Sequence, residues 1–166
     1  MRTAAVLTIS DSSARGERPD RSGPATAELL RQEGFDVTHQ EIVPDDQPTI
    51  ESALIRLSDE VPLIVTTGGT GIADRDVTPE ATRAVCSKLI EGIPERMRAE
   101  GTVNTSYAIL SRGVCGVRER TLILNLPGSP TGASESLLAV IEILPHALDL
   151  LAGKTVHDDA HPPRDE

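Results

Sequence analysis

The sequence predicts an α/β domain of three layers, with a mostly parallel central sheet and helices on both faces. Three observations predict it. Four short apolar runs, over residues 4–9, 35–43, 62–67 and 121–126, have the length of strands, and three of them are continuous enough to be covered on both faces. The segments between them repeat apolar residues at helical spacing, the βαβ order that builds a parallel sheet with right-handed crossovers. Polar or glycine-rich loops follow the strands, so all of them are expected at one edge.

The elements follow in order. Ala4, Ala5, Val6, Leu7, Thr8 and Ile9 form the first strand, and the polar stretch 10–23 reads as a long loop. Pro24 suits a first helical position, with Ser22 and Gly23 as cap candidates, and Gly34 ends that helix. Residues 35–43 are a second strand with looser alternation, followed by a loop from Pro44 to Pro48. Ile50, Ala53, Leu54 and Leu57 mark an amphipathic helix, and residues 62–67 a third strand. After a glycine loop, Thr78 as N-cap, Pro79 at N1 and Glu80 in the first turn open a helix over 79–88. A further helix is expected over 92–101, bounded by Gly92 and Gly101, and residues 102–120 are mixed. The fourth strand, 121–126, leads into one long helix over 132–151, apolar on several sides and kinked at Pro145. Residues 1–153 then make one domain, and 154–166 a polar, flexible tail.

Composition narrows the function. The formal net charge of −10 opposes binding to nucleic acid or anionic lipid. Phe35 and Tyr107 are the only aromatic residues, too few for stacking platforms on single strands. No run approaches the ~20 apolar residues of a membrane span, and the apolar start is too short for a cleavable signal. A cytoplasmic protein is the expectation. Cys86 and Cys115 have no metal-ligand or CxxC spacing and read as buried thiols. His39, His146, His157 and His161 form no metal or catalytic pattern.

Chemistry is expected where the loops meet, beyond the carboxyl ends of the strands. Gly68, Gly69 and Gly71 can bring backbone N–H groups close to phosphate oxygens, with Thr67 and Thr70 adding hydroxyls. The spacing is neither G-x-G-x-x-G nor G-x-x-x-x-G-K-[ST], which disfavours dinucleotide and P-loop chemistry. Asp45 and Asp46 follow the second strand, and Asp74 and Asp76 the third; carboxylates across one cleft can hold Mg²⁺ against a polyphosphate. Arg75 pairs either with phosphate or with Asp. Asn125, Pro127, Gly128 and Ser129 lead off the fourth strand into a helix, a place for a phosphate at a helix N-terminus.

Seven stretches together resemble the MogA/MoaB type of molybdopterin adenylyltransferase. They are TISDSS (8–13), DRSG (20–23), PDD (44–46), TTGGTGIADRDVTPEAT (66–82), GIPERMR (92–98), AILSR (108–112) and LILNLPGSP (122–130). The resemblance implies a homotrimer that binds molybdopterin and ATP with Mg²⁺, and adenylylates the terminal phosphate of molybdopterin. By that resemblance Asp45 and Asp76 are catalytic and hold the metal. Ser10, Asp11, Ser22, Gly23, Thr67, Gly68, Gly69, Thr70 and Gly71 match the front and glycine motifs that hold the substrates. Glu95, Arg98, Ser111, Arg112, Asn125, Pro127, Gly128 and Ser129 match the rest. The molybdenum insertase is an implied partner. Competing readings are a pterin-binding protein without catalysis, an insertase-like step, or the nucleotide pyrophosphatase chemistry of competence-damage-type proteins; the last two usually come with additional domains.

Overall fold

A computed structural model describes residues 2–154. Six strands form one sheet: β1 (Arg2–Ile9), β2 (Phe35–Val43), β3 (Leu63–Thr67), β4 (Lys88–Leu89), β5 (Cys115–Arg118) and β6 (Thr121–Leu126). Their spatial order is β2-β1-β3-β6-β5-β4. The four strands foreseen in the sequence run parallel, while β5 and β4 add an antiparallel edge beside β6. Among the described residues seven α-helices pack around the sheet: α1 (Asp11–Ala14), α2 (Ser22–Gln32), α3 (Gln47–Ser58), α4 (Thr78–Val85), α5 (Gly92–Asn104), α6 (Pro130–Leu138) and α7 (Leu144–Leu151). Among the described residues no helix is long and apolar enough to cross a membrane.

The strand residues divide by alternation, as a pleated sheet requires. Ala4, Val6, Leu63, Val65, Leu122 and Leu124 pack with α2, α5, α6 and α7. Ala5, Leu7, Ile9, Ile64 and Ile123 pack with α3 and α4 on the other face. The core is aliphatic apart from Phe35, Met97 and Cys115. Because β1 lies between β2 and β3, the chain leaves β1 toward one side of the sheet and returns on the other. The crevice at that reversal is where open α/β sheets accept ligands.

Several expectations are corrected. The stretch 10–23 is not all loop: Ser10 caps the short α1, its Oγ accepting from Ser13 N at 3.2 Å. Ser22 and Gly23 lie inside α2 rather than capping it, and the Asp20 carboxylate accepts the Gly23 N–H at 3.0 Å. Thr78 does not cap α4; its hydroxyl donates to the Gly68 carbonyl at 2.9 Å. That helix stops at Val85 because Cys86 is extended and Ser87 N binds Val117 O, starting the antiparallel edge. Gly101 does not end α5: a Cβ there would lie 2.8 Å from Ala108 Cβ, so Gly101 is needed for packing and the helix continues to Asn104. The long last helix is three pieces, α6, a 3₁₀ turn at Ile141–Ile143, and α7. Pro145 starts α7 instead of kinking a longer helix, because it occupies an early position where no N–H is required. The polar tail lies outside the described residues from residue 155 onward.

Candidate active site

The glycine loop is shaped by its backbone. Gly68 and Gly69 have φ of +92° and +64°, a region that disfavours side chains. A Cβ on Gly68 would sit 2.3 Å from Ile9 O, and one on Gly69 would sit 2.2 Å from Thr78 Oγ1 and 3.2 Å from Asp45 Oδ1. Gly68 N donates to Leu126 O at 3.1 Å, and Thr78 N to Gly69 O at 3.1 Å. Gly128 approaches in turn, its missing Cβ falling 3.2 Å from Gly68 Cα. The ends of β1, β3 and β6 are thereby held in contact, with Asp45 beside them.

The Asp45 loop is braced reciprocally. Asp11 N donates to Asp45 Oδ2 at 2.8 Å, and Asp45 N donates to Asp11 Oδ1 at 3.0 Å. Arg75 clasps the same Asp11 carboxylate, Nε to Oδ2 at 2.9 Å and Nη2 to Oδ1 at 2.8 Å. Asp11 is thus a support for Asp45. Burial pushes the Asp45 carboxyl above its ordinary value; the Asp11 amide opposes this, and the charges of Asp11 and Asp76 push it further up. Partial desolvation also raises Asp11, but the Arg75 hydrogen bonds, the Asp45 amide and the nearby arginine charges outweigh it, so that carboxyl titrates below its usual value. Asp46, by contrast, caps α3, its Oδ2 accepting from Thr49 N at 3.1 Å and Thr49 Oγ1 at 2.5 Å. Asp76 Oδ2 accepts from Ala73 N at 2.9 Å, closing a tight turn around its own carboxylate.

Two clefts open at this edge. The first, about 370 Å³, is lined by Ser10, Ser22, Asp45 and Gly68, with Arg18 and Arg21 adding positive charge. The second, about 430 Å³, is more apolar and takes in Pro94, Met97, Tyr107 and Leu110 with Thr70, Gly71, Arg98, Ser111, Pro127 and Ser129. Gly69, Asp76 and Gly128 line both, so the clefts meet there. Ser129 caps α6, its Oγ accepting from Gly132 N at 3.1 Å, and this puts a helix N-terminus beside the junction.

Other residues singled out in the sequence turn elsewhere. Thr67 is fully buried, and its hydroxyl bonds Ser22 Oγ at 2.9 Å and Thr8 Oγ1 at 3.4 Å on the α2 side of the sheet. Asn125 is also fully buried: its Oδ1 accepts from Val114 N at 3.2 Å, and its Nδ2 donates to Thr66 Oγ1 at 3.1 Å and Thr82 Oγ1 at 2.9 Å. Alternation along β3 and β6 sends both side chains into the layers instead of off the sheet edge. Gly23 packs where a Cβ would meet Asp20 and Thr8 at 2.3 Å. Glu95 and Arg112 line a hollow of about 550 Å³ that adjoins the second cleft through Pro94, Arg98, Ser111 and Gly113, and they line neither cleft. Sequence reasoning passed over Arg18 and Tyr107, isolated residues in polar or mixed stretches, and gave no role to Arg21 and Met97 although they lie within the DRSG and GIPERMR stretches.

Residues 5–146 match a family model described as a probable molybdopterin binding domain. The chain is 44% identical over 152 residues to a molybdopterin adenylyltransferase of Helicobacter pylori, covering 89% of this chain and 86% of that protein. Its fold superposes on the molybdopterin biosynthesis enzyme MoaB of Thermus thermophilus with a TM-score of 0.87 at 51% identity, covering 93% and 98% of the two chains. The Mog protein of Mycobacterium ulcerans gives 0.85 at 41% identity, with 91% and 99% covered.

Proposed function

Because the chain belongs to the family of probable molybdopterin binding domains, we propose that it is a molybdopterin adenylyltransferase of molybdenum cofactor biosynthesis. It transfers AMP from ATP to the terminal phosphate of molybdopterin and releases pyrophosphate. The activity named for the Helicobacter pylori relative supports this reading. The observation that carries it is the junction of two clefts at Gly69, Asp76 and Gly128. Two phosphorylated molecules held on either side of one point can react with little covalent help from the protein.

A phosphate oxygen of molybdopterin attacks the α-phosphorus, and the bond to the pyrophosphate oxygen breaks. Backbone N–H groups of the glycine loop and the positive end of the α6 dipole steady phosphate oxygens, and Arg18 and Arg21 offset the polyphosphate charge. The Asp45 carboxylate, raised by burial and by neighbouring Asp11 and Asp76, is short of positive charge and suits a cation. Among the described residues no group of three or more side chains could hold a metal by itself, which fits Mg²⁺ taking one or two carboxylates and the rest from phosphate and water. Asp45 and Asp76 would hold it; when bound, it neutralises charge on the polyphosphate.

A homotrimer is part of the proposal, supported by the exposed apolar residues Val103, Tyr107, Ile109 and Leu110 beside the second cleft. So are a cytoplasmic location, which two free thiols fit, and delivery of the product to the molybdenum insertase. The test is to mix protein, molybdopterin, ATP and Mg²⁺ and measure adenylylated product and pyrophosphate. Asp76→Ala should lower kcat at least ~100-fold, about 2.7 kcal/mol of barrier, with molybdopterin binding retained. Equal loss of binding and turnover would refute the assigned role of Asp76. Binding without AMP transfer by the unaltered protein would refute the activity.

A further inference from the structure

We propose that Arg112, anchored by Glu80, is a positioning residue that holds the Asp76 loop in its working shape, and that it does not touch substrate. The inference rests on the reading above for the role of Asp76. Arg112 bonds both ends of the segment from Thr70 to Asp76. Its backbone N donates to Thr70 O at 2.8 Å, its Nε to Gly71 O at 2.7 Å, and its Nη2 to Asp76 O at 2.6 Å. The remaining nitrogen, Nη1, pairs with Glu80 in the first turn of α4. The Glu80 carboxyl titrates below its usual value, chiefly because it accepts from this guanidinium.

This geometry separates Arg112 from the site it serves. Arg112 lines the 550 Å³ hollow, which shares Pro94, Arg98, Ser111 and Gly113 with the second cleft, but it lines neither of the two clefts that meet at Asp76. Inside the loop, Asp76 N donates to Ala73 O at 2.9 Å and Asp76 Oδ2 accepts from Ala73 N. A Cβ at Gly71 would lie 2.7 Å from that carboxylate oxygen. The turn therefore sets the direction of the carboxylate relative to the loop, and Arg112 sets the loop relative to α4 and the strand-end glycines. Arginine is required because the planar fork addresses two carbonyls and one carboxylate at once; a lysine ammonium cannot span them in one plane.

The test uses the full chain with Arg112→Lys and Glu80→Gln, the second keeping the guanidinium in case the first fails to fold. Hydrogen exchange of peptides covering residues 70–78 is read beside steady-state kinetics. The expected result is at least tenfold faster exchange confined to that segment. With it, kcat should fall about tenfold or more, KM for molybdopterin and ATP should stay within about twofold, and half-saturation by Mg²⁺ should rise. The double variant should be no worse than the more impaired single one, since both changes release the same clamp. Unchanged exchange in both variants would overturn the proposal, as would faster exchange with unaltered kcat. A tenfold rise in KM for either substrate at constant kcat would also overturn it, by making Arg112 a substrate contact. If the unaltered protein transfers no AMP, the proposed function fails, and the exchange measurement still decides whether the clamp orders the loop.

Discussion

At the scale of single residues, Asp45 sets a conflict between stability and use. Its proton is held more tightly in the fold than in the unfolded chain, because burial and two neighbouring carboxylates disfavour the charge. Folding therefore loses stability as pH rises from the ordinary value of 3.8 through the raised folded value, and the whole penalty is present at neutral pH. Asp45→Asn keeps an acceptor for the Asp11 amide and removes the charge. It should raise Tm at neutral pH without divalent cation, and the gain should vanish as pH falls below the ordinary value of 3.8. A lower Tm at neutral pH would contradict this. Gly69 is constrained twice, by a φ of +64° and by the 2.2 Å approach its Cβ would make to Thr78 Oγ1. Gly16 shares the positive φ, at +71°, but has nothing within 4 Å. Gly16→Ala should cost about 1–2 kcal/mol from backbone strain alone, and Gly69→Ala at least about 1 kcal/mol more. Urea unfolding of the pair separates strain from collision; equal losses would show that Thr78 moves aside freely.

At the scale of elements, Asn125 ties β6 to β3, α4 and the segment before β5 through three side-chain hydrogen bonds, all buried. Asn125→Ala leaves the Val114 N–H and two threonine hydroxyls without this partner, and should cost about 3 kcal/mol in chemical denaturation. A loss under about 1 kcal/mol would mean the hydroxyls find other partners. β1, β3 and β6 were legible because Ala4 to Leu7, Leu63 to Val65 and Leu122 to Leu124 are apolar runs, and β2 through its looser alternation. β4 and β5 were not, since Lys88–Leu89 spans two residues and Cys115–Arg118 contains a glycine. Gly116 is required there because a Cβ would lie 2.5 Å from Cys86 Sγ, a contact that no local pattern encodes. The last helix was misjudged for a different reason: Leu137, Val140, Ile141, Leu144 and Leu148 keep helical spacing and all face the core, so the apolar pattern runs unbroken through the 3₁₀ turn that divides α6 from α7.

At the scale of the whole molecule, an exposed apolar edge adjoins the second cleft. Val103 and Tyr107 are 80% and 78% exposed, and Ile109 and Leu110 lie beside them in sequence. Exposed apolar residues close in sequence suit an interaction face, and the proposed homotrimer would bury them. Sedimentation at micromolar concentration should give three times the chain mass, and Val103→Asp with Ile109→Asp should lower it. A monomer for the unaltered protein would reject the trimer. Tyr107 also lines the cleft, so loss of assembly should weaken substrate binding as well.

The sequence by itself determined the class of fold and pointed to the strand-end loops, where the structure brings Gly69, Asp76 and Gly128 to the junction of two clefts with Asp45 lining the first. Local rules were enough for the strands and the glycine loop, because periodicity and glycine act over a few neighbouring residues; among the four loop carboxylates, only the family resemblance singled out Asp45 and Asp76. Only the tertiary structure decided which side chains reach the clefts. Thr67 and Asn125 sit one step from the loops and turn inward, and Arg112 reaches Asp76 from the far side of its loop. Such assignments depend on pleat direction and on contacts between residues distant in the chain, neither of which a linear pattern records.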